Sequence, residues 1–139
     1  MSKKPDFSGI WRSTFRYRSS TRGDGEYETE HYCVIHQRGN QLVIESLPSR
    51  DSYRITRLTL DGRIATGTWE QQNSEEGYYS GTRYWGAIQV VLSEDGNAMR
   101  GQWIGFGSNL EVKNGPWEIV HIGKNVPEHH SSTTKIVKD

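Results

Sequence analysis

Between Ile10 and Ile122 the chain alternates large and polar side chains with a period of two, and no segment carries a sustained helical stripe. That periodicity calls for strands, because successive strand side chains point to opposite faces, whereas a helix groups positions three and four apart. Trp11, Ser13, Phe15 and Tyr17 alternate with Arg12, Thr14, Arg16 and Arg18, as in a strand with one wet face. Strands are predicted over residues 10–18, 26–37, 41–47, 52–60, 63–72, 78–92, 98–106 and 117–122. Arg38-Gly39-Asn40 reads as a turn, and Asp61-Gly62 as a two-residue hairpin.

Eight short strands joined by local turns, with no crossover helices, make an all-β domain, most simply a single eight-stranded antiparallel up-and-down β-barrel. A length of 139 residues fits one domain and one core. The expected organisation is an N-terminal arm at 1–6, the barrel at 7–122 and a polar tail at 123–139 without regular structure. Closure removes exposed edges and leaves an interior that is either filled or roomy enough for one small ligand.

Only 32% of the residues are hydrophobic, so the core must come from a few large ones, and aromatics supply 11% of the chain. Four of the five tryptophans follow a glycine by two: Gly9-Ile-Trp11, Gly67-Thr-Trp69, Gly101-Gln-Trp103 and Gly115-Pro-Trp117. Barrel glycines allow sharp coiling and close approach of a neighbouring ring, while tryptophans plug the interior and its ends.

Lysine plus arginine and aspartate plus glutamate number 17 each, leaving no net charge to attract nucleic acid or an anionic membrane non-specifically. No apolar run approaches a membrane span, and the start MSKKPDFSG lacks the apolar stretch of a secretory signal. The single Cys33 excludes an internal disulfide and, in an alternating run, reads as a buried structural thiol. A cytoplasmic location is the expectation.

Asp6-Phe-Ser-Gly-Ile-Trp11 resembles the opening Gly-x-Trp of lipocalins, and the repeated cadence is similar to that of avidins; both are eight-stranded barrels that hold small molecules. A longer resemblance joins DGRIATGTWEQ (61–71), GYYSGTRYWGAIQVVL (77–92), MRGQWIGFG (99–107) and NGPWEIV (114–120) to the domain that follows the helix-turn-helix in actinobacterial XRE-type regulators. It covers most of residues 7–122 and implies a sensory or accessory bacterial barrel of the calycin kind. Residues 1–6 are too few to encode a helix-turn-helix, so the DNA-binding role is not carried over.

No nucleophile elbow, phosphate loop, zinc-protease helix or Cys-x-x-Cys is present. His129-His130 lacks the further ligands a metal needs, and Ser74-Glu75-Glu76 and Gly23-Asp24-Gly25 lack the oxygen ligands of a calcium site. No metal or cofactor is therefore expected. An aromatic excess in an apolar-poor chain points to a ligand-binding or sensory cavity walled by Trp11, Phe15, Tyr17, Trp69, Trp85 and Trp103, with His31, Arg83, Tyr84 and Gln89 as polar anchors. Arg83 would clamp an anion. Alternatives are a barrel isomerase or cyclase assisted by Tyr84, His31 or Glu70, and a filled barrel that contacts protein partners. Parity leaves open whether His31, Cys33 and Ile35 or Tyr32, Val34 and His36 face inward. Both faces of 78–92 read as apolar, which makes a loop or a second copy of the chain a candidate to cover one.

Overall fold

The computed structural model describes residues 6–19, 25–47, 52–73, 83–106, 112–123 and 133–136. Among them the backbone contains strands and turns and no helix: β1 (Gly9–Ser19), β2 (Gly25–Arg38), β3 (Gln41–Ser46), β4 (Ser52–Asp61), β5 (Ile64–Asn73), β6 (Arg83–Leu92), β7 (Ala98–Phe106), β8 (Val112–Gly123) and β9 (Thr133–Ile136). Each strand from β1 to β7 pairs antiparallel with the next, and β1 pairs with β8 as well as β2, so the meander closes into the expected eight-stranded barrel.

Three expectations need correction. The tail contributes a strand: β9 pairs with Tyr27–Glu30 of β2. The reason lies in β3, which is short and covers only Cys33–Arg38 of β2, leaving the preceding residues with an open edge that the β-branched Thr133-Thr134 run can join. Next, β8 starts at Val112 rather than Trp117 and takes in Pro116. Past the last β1–β8 pair, Phe15 with Trp117, β8 has lost one neighbour, so that edge requires no N–H donor. Last, the β4–β5 hairpin loop is Gly62-Arg63, one residue later than expected, because Asp61 pairs with Ile64 and Gly62 takes the left-handed φ of 64°. Residues 78–82, expected to extend β6, lie outside the described residues.

Up-and-down connectivity gives the barrel two unlike ends. At one, β2–β3 and β4–β5 turn within two residues and β6–β7 within Ser93–Asn97. Phe7 and Trp11 seal this end: the Trp11 indole donates to the Phe7 carbonyl at 2.8 Å, and the Phe7 amide to Gln37 Oε1 at 2.7 Å. Behind them lie Cys33, Ile35, Leu42, Leu58, Val90, Met99 and Ile119, all nearly inaccessible. The strand ends Ser19 and Gly25, Ser46 and Ser52, Asn73 and Arg83, and Phe106 and Val112 lie at the opposite end.

Inward indoles explain the pairing of glycine with tryptophan. Trp69 on β5 lies over Gly105 on β7, where a Cβ would stand 2.6 Å from its Cζ2, and it donates to the Ile104 carbonyl at 3.1 Å. Trp103 on β7 lies over Gly115 on β8 and donates to the Arg16 carbonyl of β1 at 3.2 Å. Trp117 on β8 donates to Ser13 Oγ of β1 at 2.7 Å. Gly67, Gly86 and Gly101 serve the backbone, since a Cβ on each would fall within 2 Å of a carbonyl oxygen on the adjoining strand.

Candidate functional site

The register settles which face of each strand looks inward. On β2, His31, Cys33 and Ile35 are buried while Tyr32 and Val34 are partly covered and His36 is exposed. Pairing of Cys33 with Trp11 fixes this choice, because directly opposed residues share a face. On β6 the inward set is Tyr84, Gly86, Ile88, Val90 and Leu92.

Arg83, Trp85 and Gln89, expected in the cavity, therefore stand on the outer face. Arg83 pairs with Glu70 at 3.0 Å, Gln89 donates to Thr66 Oγ1 at 3.0 Å, and Trp85 is 49% exposed. Glu70, weighed as a buried base, is an outer carboxylate whose pKa is lowered by hydrogen bonds from Arg83 and Arg57. Trp11 faces inward, but in the sealed end, away from the other candidates. Phe15, Tyr17, His31, Trp69, Tyr84 and Trp103 are brought toward the other half of the interior.

One wall of that half is a ladder of rings. Phe15 meets His31 edge-on at 6.0 Å and Tyr17 at 5.8 Å, and Tyr17 stacks on its cross-strand partner Tyr27 at 5.7 Å. Trp69 and Trp103 meet edge-to-face at 5.8 Å. Tyr84 pairs across strands with Gln71, which places both near the same end of the barrel.

Arg54 and Gln71 were not anticipated, and they are the polar centre of this region. Arg54 shares the inward face of β4 with Thr56 and Leu58. Its guanidinium carbon lies 3.9 Å from the centroid of the Phe15 ring, a cation–π arrangement. Its Nε donates to Gln71 Oε1 at 3.0 Å, and Nη2 donates to the same oxygen. Its backbone amide donates to Ser46 Oγ at 2.8 Å, which anchors the start of β4 beside the end of β3. The sequence signal was present: Arg54 has the parity of the apolar Leu58 and Leu60.

Burial sets the electrostatics. Desolvation, and then the Arg54 charge, lower the His31 pKa to about 3, so the imidazole is neutral near pH 7. Desolvation pushes the Cys33 thiol up to about 12, with Arg54 opposing weakly, and its Sγ lies 3.6 Å from the Trp11 carbonyl. Arg54 itself is lowered by desolvation to about 10 yet keeps part of its surface accessible. Protein surrounds the guanidinium closely enough to desolvate it, while part of the residue still reaches solvent.

Two further nitrogens point the same way. Among the described residues His31 makes no side-chain hydrogen bond and nothing accepts from Arg54 Nη1, yet no fully buried side-chain nitrogen or oxygen there lacks a partner. The unbonded nitrogens must therefore retain accessible surface. A separate cleft of about 180 Å³, bounded by Arg16, Tyr17, Glu26 and Asn114–Pro116, opens where β1 and β8 part. Its one cation, Arg16, already pairs with Glu28 at 3.0 Å. Among the described residues no group of three or more His, Cys, Asp or Glu side chains could hold a metal.

No family model matches the chain, and neither does any curated protein.

Proposed function

We propose that the protein is a small-molecule-binding barrel of the calycin kind, with the ligand seated among Phe15, His31, Arg54, Trp69 and Gln71. The observation that carries this reading is the polarity of the interior. One half is sealed and apolar, whereas the other holds an imidazole and a guanidinium with nitrogens that have no hydrogen-bond partner among the described residues. Such groups are costly inside a fold that only fills its own core. They are well suited to orient a guest within aromatic walls, because rigid rings reduce the ordering cost of binding. A filled barrel serving only as a scaffold would replace Arg54 with an apolar residue.

Native mass spectrometry of the protein purified from its source, combined with a metabolite screen read by melting temperature and tryptophan emission, tests the reading. A Trp85→Phe variant removes the exposed indole from the signal. Retention of a small molecule, or a shift in both readouts, supports it. A protein that carries nothing and shifts with no metabolite is a filled structural barrel.

A further inference from the structure

The polar half of the barrel is more selective than a general cavity, because the three sides of the Arg54 guanidinium are used differently. One π-face lies over Phe15. The edge formed by Nε and Nη2 converges on one oxygen, Gln71 Oε1. The remaining edge, Nη1 with the outer hydrogen of Nη2, meets no acceptor among the described residues, and the residue keeps part of its surface accessible. Two parallel N–H vectors on that edge match the spacing of two oxygens on a planar oxyanion.

The charge is also unbalanced. The ion pairs among the described residues involve Arg16, His36, Arg57, Arg83 and Arg100, and none brings a carboxylate to Arg54. The buried groups that sense its charge, His31 and Cys33, are both uncharged near pH 7. A cation enclosed by protein is ordinarily paired, and removal of its partner is strongly unfavourable. Among the described residues the protein supplies an amide oxygen and a ring face but no anion.

We infer that Arg54 is the anchor for the carboxylate of an organic acid, received end-on by the Nη1–Nη2 edge, with the body of the acid lying against Phe15 and Trp69. Gln71 is a positioning residue: it holds the opposite edge and so aims the free one. His31, in its neutral form, offers one donor or acceptor to a second polar atom of the same guest. This inference rests on the proposal of a binding barrel and narrows it to one class of ligand.

The test pairs acids with their uncharged amides: phenylacetate with phenylacetamide, indole-3-acetate with indole-3-acetamide, and octanoate with octanamide. Binding to the full chain is followed by calorimetry and by melting temperature near pH 7. For at least one pair the acid is expected to bind about tenfold or more tightly than the amide, as charge-assisted bonds in a partly dry site require. Arg54→Met should abolish that preference, while Arg54→Lys, a cation without the planar fork, should keep only part of it. A structural role for Arg54 would appear differently. Arg54→Met would then lower the melting temperature of the free protein, whereas an unpaired buried cation replaced by an apolar side chain should leave it unchanged or raised.

If Arg54→Met does not fold, the guanidinium Nε–Hε signal of the wild-type protein decides. It should move when the acid is added and stay when the amide is added. Equal binding of acid and amide overturns the inference while the binding barrel stands. Failure of every acid and amide to bind at millimolar concentration, alongside capture of an uncharged molecule from the source, likewise overturns it and leaves the barrel. Failure of all six with nothing captured overturns both.

Discussion

The indole nitrogen of Trp103 lies 3.2 Å from the backbone oxygen of Arg16, joining β7 to β1 across β8. The contact stands just beyond Phe15–Trp117, where the β1–β8 ladder ends and a strand carbonyl would otherwise have no partner across the seam. Gly115 makes it feasible, since a Cβ there would press on the Trp103 ring at 3.0 Å. The Trp103 side chain thus extends the closure of the barrel by one hydrogen bond past the last paired residues.

Trp103→Phe keeps a ring over Gly115 but removes the donor. We expect a loss of about 1–3 kcal/mol in stability from the unsatisfied carbonyl and reduced packing. Amide exchange should accelerate around Phe15 and Trp117 more than around Leu42 and Leu58 at the sealed end. Uniform exchange rates would show that the seam does not depend on this bond.

Gly67→Ala and Gly101→Ala introduce a single methyl, yet that methyl would lie 1.7 Å from the Arg57 oxygen and 1.9 Å from the Gln89 oxygen. Backbone cannot yield as a flexible side chain does, so the strands must separate. Each variant should lose about 1–3 kcal/mol or more, as overpacking does. Gly39→Ala is the control: nothing lies within 4 Å of its Cβ, and only the left-handed φ of 62° opposes it, at about 1 kcal/mol. Melting curves that rank Gly39→Ala as the most damaging would contradict the steric account.

Period-two patterning made the barrel legible, because eight alternating segments without a helix leave few closed arrangements. The glycine–tryptophan cadence was legible as architecture for the same reason, since residues two apart share a face. Strand β6 was not. Trp85, Ala87 and Val91 on one face are as apolar as Ile88, Val90 and Leu92 on the other, so hydrophobicity gives no direction. The neighbour decides: Trp69 pairs with Gly86, and the inward face must be the one whose residue has no side chain beneath that indole. Arg54 was hidden by its charge, which reads as solvent-facing unless the parity of Leu58 and Leu60 is weighed more heavily. The outer face of β6 and β7 leaves Trp85, Ile104 and Phe106 exposed together.

Cys33 should be inert in the folded protein. Its side chain is 1% accessible, and desolvation holds the thiol up to about 12, so almost no thiolate exists near pH 8. A thiol reagent such as 5,5′-dithiobis(2-nitrobenzoate) should react at the rate of global opening and promptly in denaturant. Fast stoichiometric reaction under native conditions would show that the sealed half opens.

His31 makes the folded state sensitive to mild acid, and the sign follows from its shift. The folded pKa is about 3 while the unfolded imidazole titrates near 6.5, so between those values the unfolded chain binds the extra proton. Stability is therefore at its full value above about pH 6.5 and declines as the pH falls toward 3, by an amount on the order of 4 kcal/mol if the ring stays enclosed. Glu70 and Asp95, whose pKa values are lowered by hydrogen bonds, lose their contribution only at and below the carboxylate range. The interval between about pH 4.5 and 6.5 thus separates this histidine from those two carboxylates. Denaturant unfolding across that interval should show a slope in the wild-type protein that is nearly absent in His31→Phe, which keeps an aromatic ring against Phe15. Carboxylate seated at Arg54 would offset the positive charge that helps depress His31, so saturating ligand should raise the folded-state pKa followed by proton NMR. An imidazole that titrates near 6.5 in the free folded protein would place His31 in open solvent and remove it from the interior.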